Sequence, residues 1–186
     1  DAEMVERAFR QFRAQQTTHG GKVTSKDKQE LRTRLAKLDD ELDHYLAGEY
    51  GINVEKAKFV DAWKLSHEPF HWLVDFFGIM HAGGFKVIIG NPPYIAASQV
   101  RKIYQLLGYD TFKCSDIYAN VQERCVRLLS DGGRCGMIVP LSLGFSGDFQ
   151  QLRSLLYQSY SRNWFSSFGR IPAALFSADV RVRNTI

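Results

Sequence analysis

Over the first quarter of the chain, apolar residues recur at helical spacing within a background rich in charge and helix-forming residues. The pattern predicts a helix near residues 2–16, a polar break over 17–24, and a second helix from about Ser25, whose hydroxyl suits a cap. Leu31, Leu35, Leu38, Leu42 and Tyr45 form one stripe on that second helix. A stripe needs a partner, and the expected one is the first helix, through Met4, Val5, Ala8, Phe9 and Phe12, or another part of a larger parent protein. The character of the chain changes across 48–54, which places an expected boundary between a helical segment at 1–50 and a second region at 51–186. Trp63, Phe70, Trp72, Phe76 and Phe77 follow as a dense aromatic group, expected to pack between helices and sheet.

Beyond residue 83 the periodicity alternates between strand-like and helix-like runs. Phe85-Lys86-Val87-Ile88-Ile89-Gly90 predicts a strand ending in a turn. Asp116-Ile117-Tyr118 opens a helical pattern in which Val121, Cys125, Leu128 and Leu129 are apolar at helical spacing, and residues 131–140 predict a turn and then a buried strand. Another helix is expected over 149–157, with further strands at 163–168 and 180–186. The fold class this order predicts is α/β: a partial doubly wound sheet preceded by an α-helical segment. Residues 85–89 and 136–139 would be adjacent parallel strands joined by the 116–129 crossover.

In open α/β sheets ligands sit beyond the carboxyl ends of the strands, and Asn91-Pro92-Pro93-Tyr94 occupies that position after the first strand. An exocyclic amine on a nucleobase is a weak nucleophile because its lone pair is delocalised into the ring. Two acceptors facing its N–H groups favour the pyramidal nitrogen and stabilise positive charge growing on it. The Asn91 side-chain oxygen is one such acceptor and the Pro92 carbonyl is another. Two consecutive prolines stiffen the turn and remove competing N–H donors. Tyr94 adds a flat face on which an extruded base can stack. A strand ending in an ordinary turn uses the same residue types, so the segments downstream carry the discrimination.

From Phe70 to Ile186 the chain resembles the amino-methyltransferases that modify adenine in DNA. Gly83 to Ile95 is similar to that family's catalytic strand and loop, Asp116-Ile117-Tyr118 to the next motif, and Asp131 to Pro140 to the one after it. Ser142 to Tyr157 continues the order, and Ile171-Pro172-Ala173-Ala174-Leu175-Phe176 resembles the last motif. The resemblance implies a Rossmann-like methyltransferase sheet and transfer of a methyl group from S-adenosylmethionine to the N6 amine of adenine in double-stranded DNA. It also implies a restriction-modification or phage-defence setting. Asn91, Pro92, Pro93 and Tyr94 would be catalytic, Tyr94 and Phe176 would sandwich the flipped base, and Asp116, Ile117 and Tyr118 would border the cofactor. His67-Glu68-Pro69-Phe70-His71-Trp72, before the catalytic strand, is similar to a stretch of large restriction-modification methyltransferases. The family's glycine-rich cofactor turn and its acidic partner are not found in residues 1–80, so the chain is expected to be the catalytic part of a larger protein. Its partners would be the remainder of that protein or a target-recognition domain. The same tetrapeptide occurs in enzymes that methylate guanine in RNA or glutamine in protein, and a non-catalytic interaction module is the other alternative.

The remaining features narrow this picture. His67-Glu68-Pro69-Phe70-His71 matches the H-E-x-x-H zinc pattern, but Pro69 interrupts the continuous helix that pattern requires. No metal site is expected. The cysteines Cys114, Cys125 and Cys135 form no C-x-x-C pair and are expected to be free thiols in a cytoplasmic protein. No apolar run approaches the ~20 residues that span a bilayer, and no membrane partner is expected. The net charge of +4 suits a phosphate-bearing partner without requiring one. Basic residues of the helical region, such as Lys28, Arg32 and Lys37, are interleaved with acids, as on a solvated face. With the cofactor turn missing, calorimetric titration of the 186-residue chain with S-adenosylmethionine is expected to show only weak binding and no turnover. Micromolar binding with ordinary turnover would overturn that expectation.

Overall fold

The computed structural model describes residues 25–169, 175–176 and 183–186. The chain divides into two compact units, Asp1–Ala82 and Gly83–Ile186. This division falls later than the expected boundary at 50/51, because Val60, Trp63 and Phe77 join residues of the long helix in shared apolar clusters.

In the first unit, helix α1 spans Ser25–Glu49, with Ser25 already inside the helix. It stops in a turn at Tyr50-Gly51, where Gly51 takes φ +75° and the Ile52 amide bonds back to the Ala47 carbonyl at 3.0 Å. Helices α2 (Ala57–His67), α3 (Trp72–Asp75) and α4 (Phe77–His81) follow. They supply partners for the stripe: Leu38 packs with Phe77, flanked by Leu35, Leu42 and Val74, while Ala47 packs with Val60 and Trp63. The expected partner helix at 2–16 lies outside the described residues. The stripe also turns at its end, continuing through Leu46 and Ala47 while Tyr45 stays 68% exposed. Of the aromatic group, Trp63 and Phe77 are core, whereas Phe70 and Phe76 are exposed and pack around Trp72. Buried Asp43 ties the helices together, with Lys64 Nζ 2.6 Å from one carboxylate oxygen and His71 Nε2 2.8 Å from the other. The hydrogen bond to Asp43 raises the Lys64 pKa above its ordinary value.

These contacts also decide the H-E-x-x-H pattern. Helix α2 ends at His67, and Glu68 turns into the left-handed region at φ 44°. The His67 ring stacks on Trp63 at 5.4 Å, while His71 is engaged by Asp43. The continuous helix needed to put both histidines on one face is not formed.

The second unit opens on strand β1 (Phe85–Gly90), which pairs in parallel with β2 (Leu129–Met137). The crossover between them includes helices α5 (Ala97–Val100) and α6 (Tyr118–Leu128), as the order of patterns requires. Register runs from Phe85 opposite Leu129, through a bulge, to Gly90 opposite Met137. Two glycines permit the close approach at the start of this pair. A Cβ on Gly84 would lie 2.5 Å from the Leu128 carbonyl oxygen, and one on Gly133 would lie 2.8 Å from that of Ser130. The chain continues from β2 into β3 (Val139–Pro140), and the Ile138 amide donates to the Gly90 carbonyl at 3.0 Å, extending the contact with β1 by one step.

Helices α7 (Ser142–Phe145) and α8 (Gln150–Ser159) and strands β4 (Ser167–Phe168) and β5 (Asn184–Thr185) complete the unit. Strand β5 lies between β3 and β4 and is antiparallel to both. The further strands expected at 163–168 and 180–186 thus form over parts of those ranges, and residues 180–182 lie outside the described residues. The arrangement is α/β, with a core of Cys114, Tyr118, Ala119, Val139, Leu143, Phe149, Leu152 and Leu156. The expected buried strand is half-buried instead: only Val139 is fully covered between Asp131 and Pro140. On β1, Val87 and Ile89 are 59% and 79% exposed, and the second edge of β1 carries no strand among the described residues. Cys114, Cys125 and Cys135 are free thiols.

Glu123 on α6 is nearly inaccessible, and it binds the 3-10 turn Asp110–Lys113 to that helix. Its carboxylate accepts the Thr111 hydroxyl at 2.6 Å, the Thr111 amide at 2.8 Å and the Asp110 amide at 3.0 Å, and it also pairs with Arg127. Burial pushes its pKa up, but these donors outweigh burial and hold it below the ordinary 4.5. The ionised form therefore contributes stability above pH 4.5, which is lost as pH falls through the lower folded value. Glu123→Gln should cost about 2 kcal/mol at neutral pH, since the amide turns a donor toward other donors. Urea titrations down into the acid range should show a weaker acid dependence in this variant than in the unmodified chain. The exposed face of β1 should make the isolated chain self-associate, and Ile89→Lys should reduce this in light scattering at high concentration. A strictly monomeric unmodified chain would refute it.

Candidate active site

The loop Asn91-Pro92-Pro93-Tyr94 leaves the carboxyl end of β1 and is fastened from two sides. On one side, Tyr94 donates its hydroxyl toward the Ile138 carbonyl at 2.9 Å, at the junction of β2 and β3. On the other, Ala96 bridges to Asp116, the Ile117 amide donates to the Ile95 carbonyl at 2.9 Å, and the Ala97 amide donates to the Ser115 carbonyl at 2.9 Å. This short antiparallel stitch brings two of the sequence-predicted groups together, Asn91–Tyr94 and Asp116–Tyr118. Pro92 is buried under the turn, whereas Asn91 and Pro93 are exposed and Tyr94 is half-buried.

The Tyr94 hydroxyl also lies 2.5 Å from the Asn91 side-chain oxygen, and Asn184 Nδ2 donates to it at 3.3 Å. The acceptor assigned to a target amine is therefore already engaged by the chain itself. A carbonyl oxygen has two lone pairs, so one remains for an incoming N–H. Burial raises the Tyr94 pKa, with the Asn184 hydrogen bond opposing it and the Asp116 charge adding to it. The hydroxyl thus keeps its proton and remains a donor throughout the neutral range.

Asp116 is half-buried, and its carboxylate accepts the Tyr118 amide at 3.1 Å. Burial raises its pKa, while hydrogen bonds from the Tyr118 and Ile95 backbones oppose the rise. Ile117 is half-buried beside it. Tyr118 is placed differently from the expectation of a pocket-lining residue. Its side chain is wholly inaccessible, stacked on Phe149 at 4.8 Å, with its hydroxyl 3.4 Å from Ser142. It meets Tyr94 edge-on at 6.5 Å, and so backs the loop from within the core. The same burial pushes its phenol pKa far up.

Phe176 is half-buried, between flanks at 170–174 and 177–182 that lie outside the described residues. Among the described residues no ring contact joins it to Tyr94. Two groups at the site were missed from sequence: the Ile138 carbonyl and the Asn184 side chain. A backbone carbonyl leaves no compositional mark. Asn184 had one signal, a polar amide within a strand pattern, and it is 2% exposed.

The model of the Eco57I restriction-modification methylase family matches residues 7–171. Over 92 residues the chain is 35% identical to a Methanocaldococcus jannaschii protein described as "Putative type II restriction enzyme and methyltransferase RM.MjaORFECS2P". That similarity covers 48% of this chain and 8% of the relative, so the chain spans a small part of the curated relative's length. No solved structure matches significantly. The family match runs through the strand, the fastened Asn-Pro-Pro-Tyr loop and the crossover helix described above, and this chain belongs to the Eco57I restriction-modification methylase family.

Proposed function

We propose that this chain supplies the amine-binding part of a DNA methyltransferase that moves a methyl group from S-adenosylmethionine to the N6 amine of adenine in double-stranded DNA. The observation that carries this reading is the Asn91–Tyr94 loop at the carboxyl end of β1, with the Asn91 oxygen oriented by the Tyr94 hydroxyl. Membership of a restriction-modification methylase family supports the methyl-transfer chemistry and DNA as the substrate.

Asn91 and the Pro92 carbonyl receive the two N–H groups of the amine and stabilise the charge that develops as nitrogen becomes tetrahedral. Tyr94 stacks on the extruded adenine, and Phe176 forms the opposite wall. S-adenosylmethionine, when bound, supplies an electrophilic methyl on a sulfonium, so the amine sheds its proton after transfer and no strong base is required. Of the expected cofactor-bordering residues, Asp116 and Ile117 suit that role, since a half-buried carboxylate beside the loop complements a cationic ligand. Tyr118, sealed in the core, supports them from behind.

Asn91→Ala in the full-length protein should lower the methyl-transfer rate by ~10²-fold or more, on the scale of losing one preorganised polar contact. Tyr94→Ala should weaken flipping by on the order of 1–3 kcal/mol. Tyr94→Trp should keep much of the stacking, and Phe176→Ala should act as a milder Tyr94→Ala, with its effect shrinking when the target adenine is mismatched. Single-turnover kinetics with a fluorescent base at the target position separate flipping from transfer. Transfer unchanged in Asn91→Ala would remove the active-site assignment, and transfer to RNA or protein in place of DNA would redirect the substrate.

A further inference from the structure

Asn184 sits on β5, opposite Pro140, and is 2% exposed. Its Nδ2 donates to the Tyr94 hydroxyl from a position 90 residues away in sequence. A phenol has one proton to donate and lone pairs to accept with. Two carbonyl oxygens compete for that proton here, those of Asn91 at 2.5 Å and Ile138 at 2.9 Å. An N–H donor on the lone-pair side turns the hydroxyl proton away from Asn184 and toward these two acceptors.

The consequence falls on Asn91, whose exposed amide can present either its oxygen or its NH2 group to a ligand. Donation from Tyr94 selects the orientation with the oxygen at the hydroxyl and leaves its second lone pair fixed in direction. We propose that Asn184 is a positioning residue for methyl transfer, acting through the Tyr94 hydroxyl to hold the Asn91 side-chain oxygen ready for the target amine. This rests on the methyltransferase reading above. Asn184 touches neither base nor cofactor in this scheme, and its influence ends at the phenol oxygen.

A double-mutant cycle in the full-length protein tests the link, because an effect relayed through the hydroxyl must vanish when the hydroxyl is absent. Asn184→Asp replaces the donor by an acceptor and draws the Tyr94 proton away from Asn91. Asn184→Leu removes the donor while keeping the branching and number of side-chain heavy atoms, and covers the case in which a buried carboxylate prevents folding. Either variant should slow single-turnover transfer on the order of tenfold, the rate equivalent of one hydrogen bond. Base flipping should stay unchanged. Tyr94→Phe should lose transfer to a similar degree while keeping flipping, and adding either Asn184 substitution to it should change nothing further.

A readout independent of activity is the 13Cζ resonance of Tyr94, assigned by its disappearance in Tyr94→Phe. Asn184→Leu should shift it and raise the pH at which it titrates, since a donated hydrogen bond favours the phenolate. An unmoved resonance, an unchanged transfer rate in a folded variant, or equal damage in the Tyr94→Phe background would each overturn the role of Asn184. Absence of methyl transfer by the unmodified protein would instead overturn the reading of the site on which that role depends.

Discussion

Parallel pairing of β1 with β2 is the constraint on which the rest of the second unit depends. Two parallel strands bring both carboxyl ends to the same edge, and they demand a long crossover between them. Both requirements shape the candidate site. The shared edge places the Asn91–Tyr94 loop beside Ile138, within reach of a side-chain hydrogen bond, and the crossover returns Ser115 and Asp116 to the other side of the same loop. With the loop held on both flanks, its prolines add stiffness to a turn that is already positioned.

The parts of this arrangement that were legible in the sequence are those set by local pattern. The strand Phe85–Gly90 and the helix Tyr118–Leu128 follow from an apolar run and a helical period, each readable within a few residues. The parts that were not legible depend on neighbours distant in sequence. Tyr45 fits the stripe by spacing, yet the helices behind α1 take up Leu46 and Ala47 in its place. Tyr118 sits in a motif that resembles a cofactor-bordering segment, and its ring instead fills the core against Phe149. Periodicity states that a residue is turned inward without stating what it meets there.

The polar residues of the site follow the same division. The contact between Asn91 and Tyr94 joins two residues of one loop, so local pattern is enough to draw attention to both. Asn184 was not, because its role exists only once β5 lies beside β3 and brings an amide to the phenol from the far end of the chain. A buried amide in a short strand is costly unless it is hydrogen-bonded, and that cost is the physical reason to look for its partner.

The chemistry of the loop argues for an amine acceptor over a general base. A base needs a titratable group aimed at the proton it removes, and Asn91-Pro92-Pro93-Tyr94 carries neither a carboxylate nor an imidazole; the Asp116 carboxylate lies on the neighbouring segment stitched to the loop. The loop itself offers an amide oxygen and a flat ring, which bind N–H and stack but do not take protons. Such a site suits a substrate whose lone pair must be released from conjugation and whose proton can leave late. Two acceptors and one aromatic face recognise an N–H pair and a plane, features that adenine shares with other planar amines. Under the proposed function, selection of the base would therefore come from groups that contact its ring edge, and selection of the DNA site from surfaces that contact its neighbours.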